Sequence, residues 1–120
     1  MANVLIVDDS STMRKIISRS LRQAGLPIED IYEAGDGIEG LNALEGKTVQ
    51  LILSDINMPN MDGLEFVKQV RAKGIAVPIV MITTEGGEDI LREAMINGAT
   101  DSIKKPFTPD QLQEKLGGLL

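Results

Sequence analysis

Two apolar runs in this sequence end abruptly in acid. Val4 to Val7 is followed directly by Asp8 and Asp9, and Leu51 to Leu53 runs through Ser54 into Asp55. The second run opens the stretch Leu51 to Gly63, LILSDINMPNMDG, whose latter part is rich in Asn, Pro, Asp and Gly and reads as a loop. An apolar run closed by turn formers is the pattern of a strand buried on both faces, so each run delivers carboxylates to the carboxyl end of a strand. If the two strands are neighbours, three carboxylates meet. Like charges about 5 Å apart at an effective dielectric near 20 repel by roughly 3 kcal/mol per pair, so such a trio invites a divalent cation or an unusual proton. Oxygen ligands alone select a hard ion. Mg²⁺ fits, since it uses one or two carboxylates, keeps several waters and takes phosphate oxygens as further ligands.

These residues need elements to hold them, and strand and helix signals alternate along the chain. Val4 to Val7 is the first strand. Ser10 and Ser11 offer an N-cap for a helix with a stripe of Met13, Ile16, Ile17, Leu21 and Ala24, closed by Gly25. Its other face carries Arg14, Lys15, Arg19 and Arg22, either a solvated surface or a docking face for an acidic partner. Ile31 to Ala34 alternates apolar and polar, as an edge strand does. Ile38, Leu41 and Leu44 give a short helix weakened by Gly40, at about 1 kcal/mol relative to alanine. After the strand Leu51 to Ser54, a stripe of Leu64, Val67 and Val70 predicts a helix ending near Gly74, and Ile79 to Ile82 predicts a further buried strand ending at Thr83 and Thr84. Gly86 and Gly87 predict a mobile loop before a helix with a stripe of Ile90, Leu91, Ala94 and Met95. Asp101 to Lys104 is a short polar strand. Thr108, Pro109 and Gln111 spell a capping box with proline at the first helical position, and Leu112, Leu116 and Leu119 form the last stripe, with Gly117 and Gly118 expected to fray its end.

Five strand and helix pairs with no repeat or linker predict one α/β domain over residues 1–120, a (βα)5 arrangement with helices on both faces of a parallel sheet. The polar strands, the second and fifth, belong at edges, which gives the order 2-1-3-4-5. In that order the first and third strands are adjacent. Asp8, Asp9 and Asp55 then share one mouth of the sheet with Thr83, Lys104 and Lys105, the parts of a phosphoryl-transfer site with a carboxylate nucleophile.

Composition removes several alternatives. The chain has 120 residues, no Cys and no His, which excludes disulfides, thiolate metal sites and imidazole catalysis. A net charge of -6 argues against a nucleic-acid surface. Four apolar residues before Asp8 are too few for a signal peptide, and no run has the length of a membrane span, so the expectation is a cytoplasmic monomer off the membrane.

Taken one at a time these pieces are weak, because an Asp at a strand end is usually a turn former and Lys-Pro usually just a loop. Together, DD at Asp8 and Asp9, D-I-N-M-P-N-M-D-G from Asp55, T-T-E from Thr83 and K-P-F from Lys105 resemble the receiver domain of bacterial response regulators, the single-domain chemotaxis regulators in particular. The resemblance covers essentially the whole chain and implies a flavodoxin-like fold. It implies that Asp55 is the phosphoacceptor, served by a histidine kinase, a phosphotransfer domain or a small phosphodonor. It implies that Asp8 and Asp9 hold Mg²⁺ with Asp55 and the backbone carbonyl of Asn57, that Thr83 binds a phosphoryl oxygen, and that Lys105 pairs with the phosphate before a cis Pro106. Asn57 and Glu85 stand at the variable positions flanking the path of attacking water and are expected to set the phosphoryl lifetime.

One position departs from the pattern. Three residues before Lys105, where chemotaxis regulators carry an aromatic switch residue, stands Ser102. A hydroxymethyl neither swings as a ring does nor supplies its contact area. The change on phosphorylation would then fall to Thr83 and the loop after it, and the downstream protein, a motor switch component or another regulator, would be met without the ring. Two other functions compete with a switch: a phosphate-independent receiver scaffold, and a small phosphatase of the haloacid dehalogenase type. The latter needs a second Asp two residues after the nucleophile, where Asn57 stands.

Overall fold

The computed structural model describes residues 2–84 and 87–120, so Glu85 and Gly86, and with them part of the loop expected to be mobile, lie outside the described residues. Five strands, β1 (Ala2–Val7), β2 (Ile28–Ala34), β3 (Leu51–Ser54), β4 (Ile79–Thr83) and β5 (Asp101–Lys104), alternate with five helices, α1 (Ser11–Gln23), α2 (Gly37–Gly46), α3 (Gly63–Ala72), α4 (Glu88–Asn97) and α5 (Pro109–Leu116). All strand pairings are parallel, in the order β2-β1-β3-β4-β5 expected from the polarity of the two edge strands.

The period of two along each strand divides the core. Val4, Ile6, Leu51, Leu53, Val80 and Ile82 face α1 and α5, where Ile17, Leu21, Leu112 and Leu116 cover them. Leu5, Val7, Ile52, Ile79 and Met81 face the other way onto Phe66, Val67 and Val70 of α3 and Ala94 of α4. Five consecutive apolar or nearly apolar strand positions are therefore all buried, as a sheet covered on both faces requires.

Helix ends follow the caps written in the chain. Ser10 caps α1 by accepting from the Met13 N–H, and Gly25 follows it at φ 75°. Asp36 and Asp62 cap α2 and α3, and the Thr108 to Gln111 capping box opens α5.

Several expectations are corrected. Strand β2 begins at Ile28, three residues before the alternating stretch: Ala2 already pairs with Ile28, and β2 carries one extra residue before Ile31 pairs with Val4. On α4 only Ala94 is fully buried: Ile90 and Met95 are 40% and 44% exposed, because the neighbouring α3 covers only one narrow line of this helix. Ile16 on α1 is likewise exposed. Gly40 is a point of contact: a Cβ there would lie 2.8 Å from a ring carbon of Phe66, so the missing side chain lets α2 close onto α3. The tail after α5 continues as a 3₁₀ turn over Gly117–Leu119, with Leu119 packed against the core. Among the described residues no helix is long and apolar enough to cross a membrane.

Candidate functional site

The register of the sheet brings the acids together. Val7 of β1 lies beside Ser54 of β3, and the Asp55 N–H donates to the Val7 carbonyl at 2.9 Å, so the two strands release their acids side by side. One carboxylate oxygen from each of Asp8, Asp9 and Asp55 lies within 4.8 Å of the others. Asp8 is buried, Asp55 is half-buried and Asp9 is exposed.

Each buried carboxylate has one oxygen held and one free. Asp8 Oδ1 accepts from the Ser10 N–H at 2.9 Å, while its Oδ2 is buried without a hydrogen-bond partner. Asp55 Oδ1 accepts from the Ile56 N–H at 2.7 Å. Both second oxygens face Lys105, whose Nζ lies 3.6 Å from Asp8 Oδ2 and 3.9 Å from Asp55 Oδ2. Burial raises the Asp55 pKa; the Ile56 N–H and Lys105 pull it down, and the charges of Asp8 and Asp9 push it up again.

That shift has a sign that can be tested. A carboxyl whose folded pKa is raised binds more protons folded than unfolded, so stability falls as pH climbs from the ordinary carboxylate value to the raised one. In Mg²⁺-free buffer, Asp55→Asn is expected to be more stable than the parent at neutral pH, and the difference should shrink on acidification. Melting curves at both pH values check this, and a parent protein that gains nothing relative to the variant in acid would refute it.

Strand β4 supplies Thr83, a buried residue whose Oγ1 has no hydrogen-bond partner among the described residues. Thr83 and Lys105 are joined through the main chain, the Lys105 N–H donating to the Thr83 carbonyl at 2.6 Å. Asp55, Asn57, Thr83, Thr84, Ile90 and Lys105 line a cavity of about 270 Å³. The Lys105-Pro106 bond is cis. Lys104 is exposed and forms none of the ion pairs of the acidic cluster, so the expectation that both lysines serve the mouth holds for Lys105 alone. Glu85 lies outside the described residues.

The loop after β3 is fitted as closely as the strands. The Gly63 N–H donates to the Ile56 carbonyl at 2.7 Å, and a Cβ at Gly63 would run into the Asp55 carbonyl oxygen and the Ile56 Cα. Sequence reasoning took this glycine only as a turn former. It also missed Arg14, placed there on a free basic face: its guanidinium donates to the Asp8 carbonyl at 2.6 Å and pairs with Glu33 at 2.8 Å.

The residues fit a hard divalent cation. Three carboxylates converge with only oxygen donors, and an acceptor atom of Asp8 is buried facing the same point with no hydrogen bond.

The family model for the response regulator receiver domain matches residues 4–117, and the chain belongs to that family. Among its members the resemblance is to single-domain chemotaxis regulators. A Campylobacter jejuni protein described as a chemotaxis protein CheY homolog is 46% identical over 120 residues, covering 98% of this chain and 91% of the relative. Chemotaxis protein CheY1 of Helicobacter pylori is 46% identical over 116 residues, covering 94% of this chain and 92% of the relative. The solved structure of the Vibrio cholerae chemotaxis response regulator CheY4 superposes with a TM-score of 0.87 at 40% identity, covering 100% of this chain and 99% of that one.

Proposed function

We propose that this chain is a phosphorylation-operated switch of a two-component system, taking a phosphoryl group on Asp55 from a histidine kinase or phosphotransfer domain and changing its affinity for a downstream protein. The observation that carries the reading is the division of labour on the Asp55 carboxylate. Oδ1 is fixed by the Ile56 N–H, and Oδ2 looks toward Lys105 at the cavity shared with Thr83.

Asp55 Oδ2 is the nucleophile. It forms a bond to phosphorus as the bond from phosphorus to the donor nitrogen breaks, and that electron pair stays on the departing imidazole of the donor. The Ile56 N–H keeps the carboxylate from rotating, which holds the attacking oxygen in line. Lys105 places its ammonium where the transferred oxygens gain charge, and the unpartnered Thr83 hydroxyl is available to donate to one of them. Asp8, Asp9, Asp55 and the Asn57 carbonyl would hold Mg²⁺, which when bound neutralises charge on the carboxylates and the phosphoryl oxygens. Asn57 lines the cavity and is assigned, with Glu85, to orienting the water that later hydrolyses the acyl phosphate.

The protein acts on this reading as a cytoplasmic monomer whose output is a protein contact. With Ser102 in place of a ring, the apolar contact area for a downstream protein comes from α4, where Ile96 is 78% exposed beside Met95. The absence of an acid at position 57 counts against sustained phosphatase turnover.

Intact mass after incubation with Mg²⁺ and acetyl phosphate tests the chemistry. A Mg²⁺-dependent phosphoryl adduct is expected on the parent protein and none on Asp55→Asn. Mg²⁺ binding with no adduct on either would overturn this reading in favour of a phosphate-independent scaffold.

A further inference from the structure

Outside the acidic mouth, one buried carboxylate is tied to the loop that carries the Asn57 carbonyl. Asp36 is 6% exposed and stands at the start of α2. Its Oδ1 caps the helix, accepting from the Glu39 N–H at 2.8 Å, and its Oδ2 accepts from the side-chain amide of Asn60 at 2.8 Å. Asn60 is the one non-glycine residue with positive φ among the described residues, at 65°. A second bond joins the same two segments, the Gly37 N–H donating to the Met61 carbonyl at 3.1 Å. Gly37 packs so tightly on Met61 that a Cβ there would lie 2.7 Å from its Cγ.

A main-chain carbonyl has no rotamer with which to reach a ligand. Its position is set entirely by the backbone around it. Residues 57–61 are fastened at their start by the Ile56 N–H on Asp55 and, two residues beyond their end, by Gly63 on Ile56; between these the positive-φ turn at Asn60 is closed locally by the Met61 N–H, which donates to the Pro59 carbonyl at 2.6 Å. Asn tolerates that turn without being confined to it. A charge-assisted bond to a buried carboxylate adds to that local closure and ties the turn to the start of α2. The Glu39 N–H and the Asn60 amide both lower the Asp36 pKa, so the acceptor stays ionised well below neutrality.

We infer that Asp36 is a positioning residue for the metal site: through Asn60 it fixes the turn that aims the Asn57 carbonyl at the point where Asp8, Asp9 and Asp55 converge. The inference rests on the phosphoacceptor reading above and extends it to a residue of another strand-helix loop. Asp36 touches neither metal nor substrate. Its effect is on how tightly the cation is held.

Two variants separate this role from helix capping. Asp36→Ser keeps a good N-cap and loses the second oxygen. Asn60→Gly keeps the left-handed turn and loses the amide. Titration calorimetry with MgCl₂ alone is expected to show Kd raised about tenfold in both, the size found when an outer partner of a metal ligand is removed. Amide exchange at Met61 should speed up in the Mg²⁺-free protein, and saturating Mg²⁺ should return the acetyl phosphate reaction to the parent rate. A Kd within about twofold of the parent in Asn60→Gly, which leaves the α2 cap untouched, overturns the inference. A parent protein that binds Mg²⁺ but takes no phosphoryl group overturns the phosphoacceptor reading and leaves the tie to be judged on Kd and exchange. A parent that binds no Mg²⁺ overturns both.

Discussion

Gly63→Ala is expected to lose about 3 kcal/mol of stability or more and to leave Asp55 unable to take a phosphoryl group. Ordinarily the exchange would help, since alanine is better than glycine in a helix by about 1 kcal/mol and Gly63 is the first residue of α3. The surroundings reverse the sign. The added methyl would be driven into the Asp55 carbonyl oxygen and would lie 2.8 Å from the Ile56 Cα, and both are backbone atoms with no rotamer to escape to. Relief requires pulling α3 away from the end of β3. That breaks the bond from the Gly63 N–H to the Ile56 carbonyl and shifts the Ile56 N–H that holds Asp55 Oδ1. Urea unfolding and intact mass with acetyl phosphate read the two effects separately. An alanine variant as stable as the parent would mean that the contact at Asp55 yields at little cost.

Lys105→Met is expected to slow phosphorylation by acetyl phosphate about a hundredfold, roughly 2.7 kcal/mol of barrier, at saturating Mg²⁺. Methionine keeps an unbranched, flexible side chain one atom shorter, and removes the charge together with its N–H donors. The Lys105 side chain is 16% exposed and its ammonium lies within 4 Å of oxygens on both Asp8 and Asp55, so water replaces it poorly. Its loss acts twice: charge developing on the transferred oxygens loses its partner, and the Asp55 carboxyl, already raised by burial, loses a cation that pulls its pKa down. Initial rates across pH distinguish these effects. A uniform drop reports the first, and a drop that recovers at high pH reports the second. A rate within about threefold of the parent would show that the ammonium takes little part in the transfer.

The sheet was legible because its logic is binary. Strands covered on both faces read as unbroken apolar runs, edge strands do not, and five such runs leave few orders to choose from. The site was legible for a related reason: Asp8, Asp9, Asp55 and Thr83 all stand where an apolar run stops, so their placement follows from the strands. Ile90 and Met95 misled, because a stripe at helical spacing says that a face is apolar without saying how much of it a neighbour covers. Arg14 misled in the opposite way, since a basic face carries no mark of a carbonyl 2.6 Å from one of its members. Asp36 was a different kind of miss. Asp36 and Glu39 have the spacing of a helix start, and the Glu39 carboxylate does accept from the Gly35 N–H, yet no local pattern tells that the other Asp36 oxygen reaches 24 residues along the chain.

The bond from the Lys105 N–H to the Thr83 carbonyl gives the site a mechanical character. The hydroxyl and the ammonium proposed to meet the same phosphoryl group sit on chain segments laced together at 2.6 Å, so a shift of the main chain at one would be carried to the other. They are wired in series. On the proposed function two sensors would act as one lever, and a message read by one lever would arrive as a single stroke.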